Sequence, residues 1–393
     1  MYVYYFLAAV AVWIGIKSLV GGLRYADYVR REMSRALPEF YPFVSVIAPT
    51  RGLERGFVEN VRPLLTQNYL EYEILFVFDN PQDPSLPLVQ PLNARTVISG
   101  PATDTGQKVH NLIVAVGQVD PRCEVIVFVD TDARPDKNWL RQLVAPLADE
   151  RIGASTGYRW FVPEEGGVAS RLRGVWNASI ASALGAATTK NFCWGGSTAI
   201  RRSTFEELQM VDHWRGTISD DFTITRVLKD AKLPIHFTPH CLVPSVGDCG
   251  WSELVEFTNR QIKITRVYAP QLWLPLLLGS ALFAIAFFGG IVLLVVRLWR
   301  GESFAAVLSL LLLIFALGAA KSFIRWRAVN IPLANYRVEL RRDRAAHIFL
   351  WPFASLLYLY NAIVAAFSRR ITWRGITYNL LSPNEAVIIS RDS

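Results

Sequence analysis

Five aspartates and one lysine stand where they can do chemistry together. Asp79 ends the apolar run Ile74–Phe78, and Asp130 and Asp132 follow Val125–Val129 as Asp-Thr-Asp. Asp220 and Asp221 precede an amphipathic stretch carrying Phe222, Ile224, Val227 and Leu228, and Lys108 opens another helical stretch. Two carboxylates in one short loop repel each other unless a cation sits between them or one points away. One or two carboxylates completed by substrate phosphates is a common way to hold Mg²⁺. Asp-Thr-Asp therefore reads as a divalent-cation loop, for Mg or Mn; a turn that caps a helix is the other use of such a loop. Asp221 is the candidate general base. A hydroxyl attacking an acetal carbon must lose its proton, and a carboxylate within hydrogen-bond reach accepts it. Asp220 also suits the positive end of a helix.

These residues need a scaffold, and the sequence between Pro42 and Tyr268 supplies an α/β one. Val44–Ala48, Glu73–Phe78 and Glu124–Val129 are predicted strands. Phe57–Leu65, Gln107–Val116 and Asn138–Leu147 have helical spacing. Near-continuous apolar strands between helices predict a parallel sheet covered on both faces. Ligands of such sheets bind beyond the carboxyl ends of the strands, so Asp79 and Asp-Thr-Asp can share one crevice. Neither Gly-x-Gly-x-x-Gly after the first strand nor Gly-x₄-Gly-Lys-Ser/Thr is present, which removes the main support for dinucleotide and P-loop readings.

The flanks are of a different kind. Tyr2–Val20 is apolar and long enough for a bilayer, at ~20 residues. Its basic neighbours Arg24, Arg30, Arg31 and Arg35 come after it, which predicts an uncleaved anchor with the following domain in the cytosol. Leu272–Val296, Phe304–Ala320 and Ile348–Phe367 are further spanning candidates. Four full crossings would place Arg369, Arg370 and Arg374 outside, against the preference of basic residues for the cytosol. Either Ile348–Phe367 is a re-entrant or interfacial hairpin, or the orientation rule fails. The expected domains are an anchor over 1–22, a basic linker over 23–42, a catalytic domain over 43–268, a membrane region over 269–367 and a cytosolic tail over 368–393.

Composition agrees with an integral membrane protein of the plasma or an internal membrane. Of 393 residues, 52% are hydrophobic and only 19% charged, below the roughly 25% typical of globular chains. The net charge is +8, yet Lys321–Arg344 alone holds seven Lys/Arg against two acids. That is a juxtamembrane pattern and not a nucleic-acid surface. Cys123, Cys193, Cys241 and Cys249 lack the close pairing of a zinc site and read as reduced thiols. The helical stretch Trp251–Val267 brings Arg260 and Lys263 to one face, facing a diphosphate or anchoring to the inner leaflet.

In order, Val44–Glu54, Asn68–Asp79, Gln107–Leu112, Phe128–Asp132, Ser219–Phe222 and Arg260–Ile264 resemble the signatures of family 2-like membrane glycosyltransferases, the ceramide glucosyltransferase group in particular. Ile371–Tyr378 resembles that group's ending. The resemblance implies a cytosolic GT-A catalytic domain with N-terminal and C-terminal transmembrane helices. It implies that Pro49, Thr50, Asp79, Lys108 and Asp130 hold the nucleotide sugar, together with Arg260 and Lys263. It implies that Asp132 contacts the metal and that Asp221 is the base. Two positions depart from the pattern: the usual Arg-Trp of the last motif is Lys263-Ile264, and Asp83 follows Asp79 closely enough to share its role. Trp194, Gly195, Gly196 and Asp220 are expected on the acceptor side, where two glycines let a substrate approach the backbone closely; a tight turn would use them equally.

The expected reaction is an inverting, metal-dependent transfer of one sugar from a nucleotide sugar, a UDP-sugar, to a membrane-lipid hydroxyl. A processive polysaccharide synthase would use the same donor site, and a non-enzymatic nucleotide-sugar sensor would need no base.

Overall fold

The apolar runs become strands. β1 (Val44–Thr50), β2 (Tyr72–Phe78), β3 (Arg95–Ile98), β4 (Val125–Val129), β5 (Ala154–Val162), β6 (Ser197–Arg201) and β7 (Ile235–Val246) form one sheet in the order β3-β2-β1-β4-β6-β5-β7. The computed structural model describes residues 1–92 and 94–391. All five residues of β4 are buried, as a strand covered on both faces requires. β1 pairs in parallel with β2 and β4, and so do β2 with β3 and β5 with β7.

The all-parallel expectation needs one correction, because β6 runs antiparallel to both β4 and β5. Ser197 lies opposite Val129 and Arg201 opposite Val125. The chain thus enters β6 at the end where β4 finishes, and it must run back alongside. A five-residue strand carries no sequence signal for direction. The consequence is functional: the loop before β6, Trp194-Gly195-Gly196, lands beside Asp-Thr-Asp.

Two helices share one core with the sheet. Gln107–Val116 contributes Val109, Leu112 and Ala115, and Asp220–Asp230 contributes Ile224, Val227 and Leu228. Both pack with Ile47, Leu75, Val77, Ile126 and Phe128. Burying such a side chain contributes about 1.5–3 kcal/mol, so apolar packing fixes the helices that carry Lys108 and the Asp220–Asp221 pair. The helix predicted over Phe57–Leu65 is α-helical only to Val61 and tightens to a 3₁₀ turn over Arg62–Thr66.

The chain divides into two bodies. The α/β body comprises Arg31–Val162, Ala183–Gly247 and Arg369–Ser393. Its last stretch, expected as a tail, forms a second sheet of β8 (Arg370–Trp373), β9 (Ile376–Ser382) and β10 (Glu385–Arg391). Arg374 and Gly375, at φ 53° and 72°, form the two-residue turn between β8 and β9, the positive-φ geometry that suits a tight hairpin. Ile376, Tyr378 and Leu380 are buried.

The other body comprises Met1–Arg30, Pro163–Ser182 and Asp248–Ser368. Tyr2–Met33, Pro270–Trp299 and Ala305–Val329 are long and apolar enough to cross a membrane. The first runs well beyond the expected anchor, and the third is longer than Phe304–Ala320. Ala334–Phe349 and Trp351–Phe367 meet at a 70° bend. Pro352 stands in the first turn of the second helix; it lacks an N–H and clashes with the preceding turn, which favours a break there. Trp251–Tyr268 belongs to this body, although it was expected in the catalytic domain. Its Leu254 and Ile262 pack with Ala354, Tyr358 and Ala362. Asn361, inside an apolar helix, donates to Thr258 Oγ1 at 3.0 Å and to Asn259 Oδ1 at 2.9 Å.

Gly157 sits at the irregularity between β5 and β7, and a Cβ there would run into the Cys241 carbonyl oxygen. Gly157→Ala is expected to cost about 1–3 kcal/mol by overpacking. Gly279→Ala, where a Cβ meets nothing within 4 Å, should be silent. Thermal midpoints followed by tryptophan fluorescence in detergent compare the two; equal midpoints would remove the packing argument.

Candidate active site

Lys108 is the second residue of its helix. A cation there opposes the helix dipole, so its place needs another cause. The cause is a ring of carboxylates. Lys108 Nζ lies 2.8 Å from Asp130 Oδ1 and 3.3 Å from Asp220 Oδ1. Burial works against its charge, but Asp130, Asp220 and Asp221 outweigh burial and hold the ammonium above the ordinary lysine range. Burial likewise pushes against the Asp130 carboxylate, which Lys108 and Arg159 hold below its ordinary value.

Asp220 is buried at the N-terminus of the helix Asp220–Asp230. Burial comes first in pushing its carboxyl up to about 6, against the pull of Lys108 and with Asp221 and Asp130 adding repulsion. Asp221 is turned differently. Its Oδ1 accepts from the Ser219 hydroxyl at 2.5 Å and from the Phe222 N–H at 2.8 Å, which fixes the carboxylate plane. Ser219 caps the helix, accepting from Phe222 N at 3.3 Å.

Arg159, on β5, was missed from the sequence. Its Nη1 donates to Asp132 Oδ2 at 3.0 Å and its Nη2 to Asp130 Oδ2 at 3.1 Å. Its guanidinium lies 4.8 Å from the centroid of the Trp194 ring. An arginine in the middle of an apolar strand run was the available signal. Gly195 and Gly196 prove necessary for a reason other than acceptor access. A Cβ on Gly195 would strike Asp220 Oδ2, and one on Gly196 would strike the Trp194 ring. Their lack of side chains lets Lys108, Asp130 and Asp220 close ranks.

The residues expected at the nucleotide begin where β1 and β2 end. Pro49 and Thr50 lie opposite Val77 and Phe78, next to Asp79. Thr50 is buried and its hydroxyl donates to the Ala48 carbonyl at 3.0 Å. Asp79 pairs with Arg51, a second residue missed from the sequence. Arg51 Nε donates to the Arg374 carbonyl at 2.9 Å, and Arg374 pairs with Glu54. Tyr378 accepts the Gln107 N–H at 3.1 Å on its hydroxyl, next to Lys108. The C-terminal hairpin therefore braces both the first loop and the lysine helix. Asp83 accepts from the Gly52 N–H at 2.7 Å, which makes it a support of the first loop.

Arg260 and Lys263 are on the helix Trp251–Tyr268 of the other body. Arg260 lies 3.6 Å from Glu256 one turn earlier. Burial lowers the Lys263 ammonium.

The residues fit a divalent cation. Asp132 Oδ1 and Asp220 Oδ2 are buried with no hydrogen-bond partner, and a buried unpaired carboxylate oxygen is costly. Hard carboxylate oxygens suit Mg and Mn. Among the described residues no three metal-ligating side chains converge. Cys123, Cys193 and Cys241 are free thiols in the interior.

The profile of glycosyl transferase family 21 matches residues 3–386. A ceramide glucosyltransferase of Candida albicans is 27% identical over 128 residues, 28% of this chain and 23% of that protein. The match thus spans about a quarter of the relative's length. Among solved structures, a mannosyltransferase of Pyrobaculum calidifontis in complex with GDP-Man and Mn²⁺ is 18% identical, with 92% of this chain and 99% of that one covered at a TM-score of 0.47. A glucosyl-3-phosphoglycerate synthase of Mycobacterium tuberculosis, in complex with Mn²⁺ and UDP-glucose, is 16% identical over 56% of this chain and 77% of that one, at a TM-score of 0.36.

The raised Asp220 carboxyl has a measurable consequence. A folded-state value above the unfolded one contributes stability that is complete below pH about 3.9 and is lost as pH rises through about 6. The thermal midpoint of the wild type, taken relative to Asp220→Asn, is expected to fall as pH goes from about 4 to 7. A constant difference across that window would place the titration elsewhere.

Proposed function

This chain belongs to glycosyl transferase family 21, and on that premise we propose that it moves one sugar, with inversion, from a UDP-sugar to the hydroxyl of a membrane lipid. The observation that carries the reading is the charge balance at the crevice. Asp130, Asp132, Asp220 and Asp221 face two cations, Lys108 and Arg159. The deficit, together with the orphan oxygen of Asp132, is what a divalent cation makes good.

In this reading Pro49, Thr50 and Asp79 line the nucleotide pocket, and Asp132 with Asp130 would hold the cation. When bound, that cation neutralises charge on the departing diphosphate. Lys108 does the same from the protein side, preorganised by its carboxylates. As the acceptor oxygen forms its bond to the anomeric carbon, the bond from that carbon to the diphosphate oxygen breaks. The proton leaves the hydroxyl for the Asp221 carboxylate, whose plane Ser219 and the Phe222 N–H already set. One displacement inverts the anomeric centre. Arg260 and Lys263 are assigned to the diphosphate through the family resemblance alone.

The apolar helices and the partial match to a ceramide glucosyltransferase support a lipid acceptor. A lipid leaves the headgroup plane at a cost of ~0.8 kcal/mol for each CH₂ exposed, so the enzyme must work at the membrane. The make-up of the α/β body supports one topology. It contains residues both before and after the membrane segments, and an even number of crossings between Asp248 and Ser368 would keep them on one side. Pro270–Trp299 and Ala305–Val329 make two crossings. The bent pair Ala334–Phe349 and Trp351–Phe367 is then a re-entrant or interfacial element, and the basic C-terminal residues stay with the α/β body in the cytosol.

Three outcomes are expected in mixed micelles. Asp132→Ala abolishes transfer and the metal-dependent part of nucleotide binding. Asp221→Asn keeps nucleotide-sugar affinity but cuts kcat by ~10²–10⁴; a loss under about tenfold, with Asp220→Asn the crippling change, would move the base by one residue. Mass spectrometry of membrane lipids with and without the protein should reveal a monoglycosylated lipid. A polymer, or efficient glycosylation of a water-soluble acceptor without lipid, would sink the lipid reading.

A further inference from the structure

Arg159 occupies an unusual position for an arginine near a cation loop. It takes Oδ2 of both Asp130 and Asp132. Lys108 holds Asp130 Oδ1, which leaves Asp132 Oδ1 as the buried oxygen of the pair without a hydrogen-bond partner. A cation arriving alone would find one free oxygen on the Asp-Thr-Asp loop and a guanidinium already bridging it. Like charges at such close range repel by several kcal/mol in a partly buried site. The Arg159 side chain is only 14% exposed, so water screens that repulsion weakly.

We propose that Arg159 is an exchangeable counter-cation. It holds the two carboxylates together while the metal is absent and gives way only when metal and diphosphate arrive together. The inference rests on the assignment of Asp-Thr-Asp as the cation loop. The fork of a guanidinium suits both states. Its donors match carboxylate oxygens and phosphate oxygens alike. The Trp194 ring beneath it, 4.8 Å from centroid to guanidinium, offers an apolar and π-rich surface that supports the group after it leaves the carboxylates. The arriving diphosphate then receives the released donors. Arg159 is a positioning residue: it sets the order in which the site fills. Metal binding without nucleotide is weak, nucleotide strengthens it, and the coupling passes through this one side chain.

The test is Mn²⁺ binding to the full chain in detergent, read by electron paramagnetic resonance, with and without UDP. In the wild type UDP should tighten Mn²⁺ by a factor within the 5–150-fold range common for coupled sites. Arg159→Gln should bind Mn²⁺ about tenfold tighter than wild type without UDP, with the UDP-dependent gain reduced by the same factor. Unchanged or weaker Mn²⁺ binding by Arg159→Gln without UDP overturns the proposal. If that variant fails to fold, Arg159→Lys decides, because a shorter side chain ending in one ammonium lacks the guanidinium fork that takes Oδ2 of each carboxylate: tighter Mn²⁺ binding without UDP supports exchange, and equal or weaker binding overturns it. Absence of Mn²⁺ binding in both wild type and Arg159→Gln, even with UDP, removes the cation loop itself and the proposal with it. Retained binding in wild type that Asp132→Ala abolishes keeps the loop whatever Arg159 does.

Discussion

The Lys108 ammonium is the interaction on which the site depends. It joins Asp130, at the end of a sheet strand, to Asp220, at the start of a helix that arrives much later in the chain. Each partner alone would be an unpaired charge in a largely dry place, which costs several kcal/mol. Together they tolerate burial, and they draw Gly195 and Gly196 into contact because any side chain there would push them apart. Breaking one member leaves the others uncompensated, so the cluster behaves as a unit.

That unit is left short of positive charge, and the shortage is useful. An enzyme that stabilises charge on a leaving diphosphate needs cations that are already in place when the bond breaks. Lys108 is held by Asp130 and Asp220. Arg159 is held by Asp130 and Asp132 and lies against an aromatic face.

The C-terminal sheet extends the same logic to the donor side. Arg51, which pairs with Asp79, leans on the backbone carbonyl of Arg374, and Tyr378 accepts the first N–H of the lysine helix. A segment that follows all the apolar helices thus braces the loop after the first strand.

Much of this was legible in the chain itself. The apolar runs determined the strands because a fully covered strand must be apolar along its length, and the alternation of strand and helix determined an α/β class. Asp-Thr-Asp after such a run, Lys108 at a helix start and Asp220–Asp221 before an amphipathic helix announced the site, since residue type and position along an element are local properties. The direction of β6, the role of Gly195 and Gly196, the guanidinium of Arg159 across Asp-Thr-Asp and the brace from Arg374 and Tyr378 were decided only by the tertiary structure. Each depends on the register of strands or on loops far apart in the chain, and a pairing between distant residues leaves no local periodicity to read. Trp251–Tyr268 shows the same divide: its amphipathic pattern announced a helix with a buried face, while packing alone chose the apolar helix that covers it.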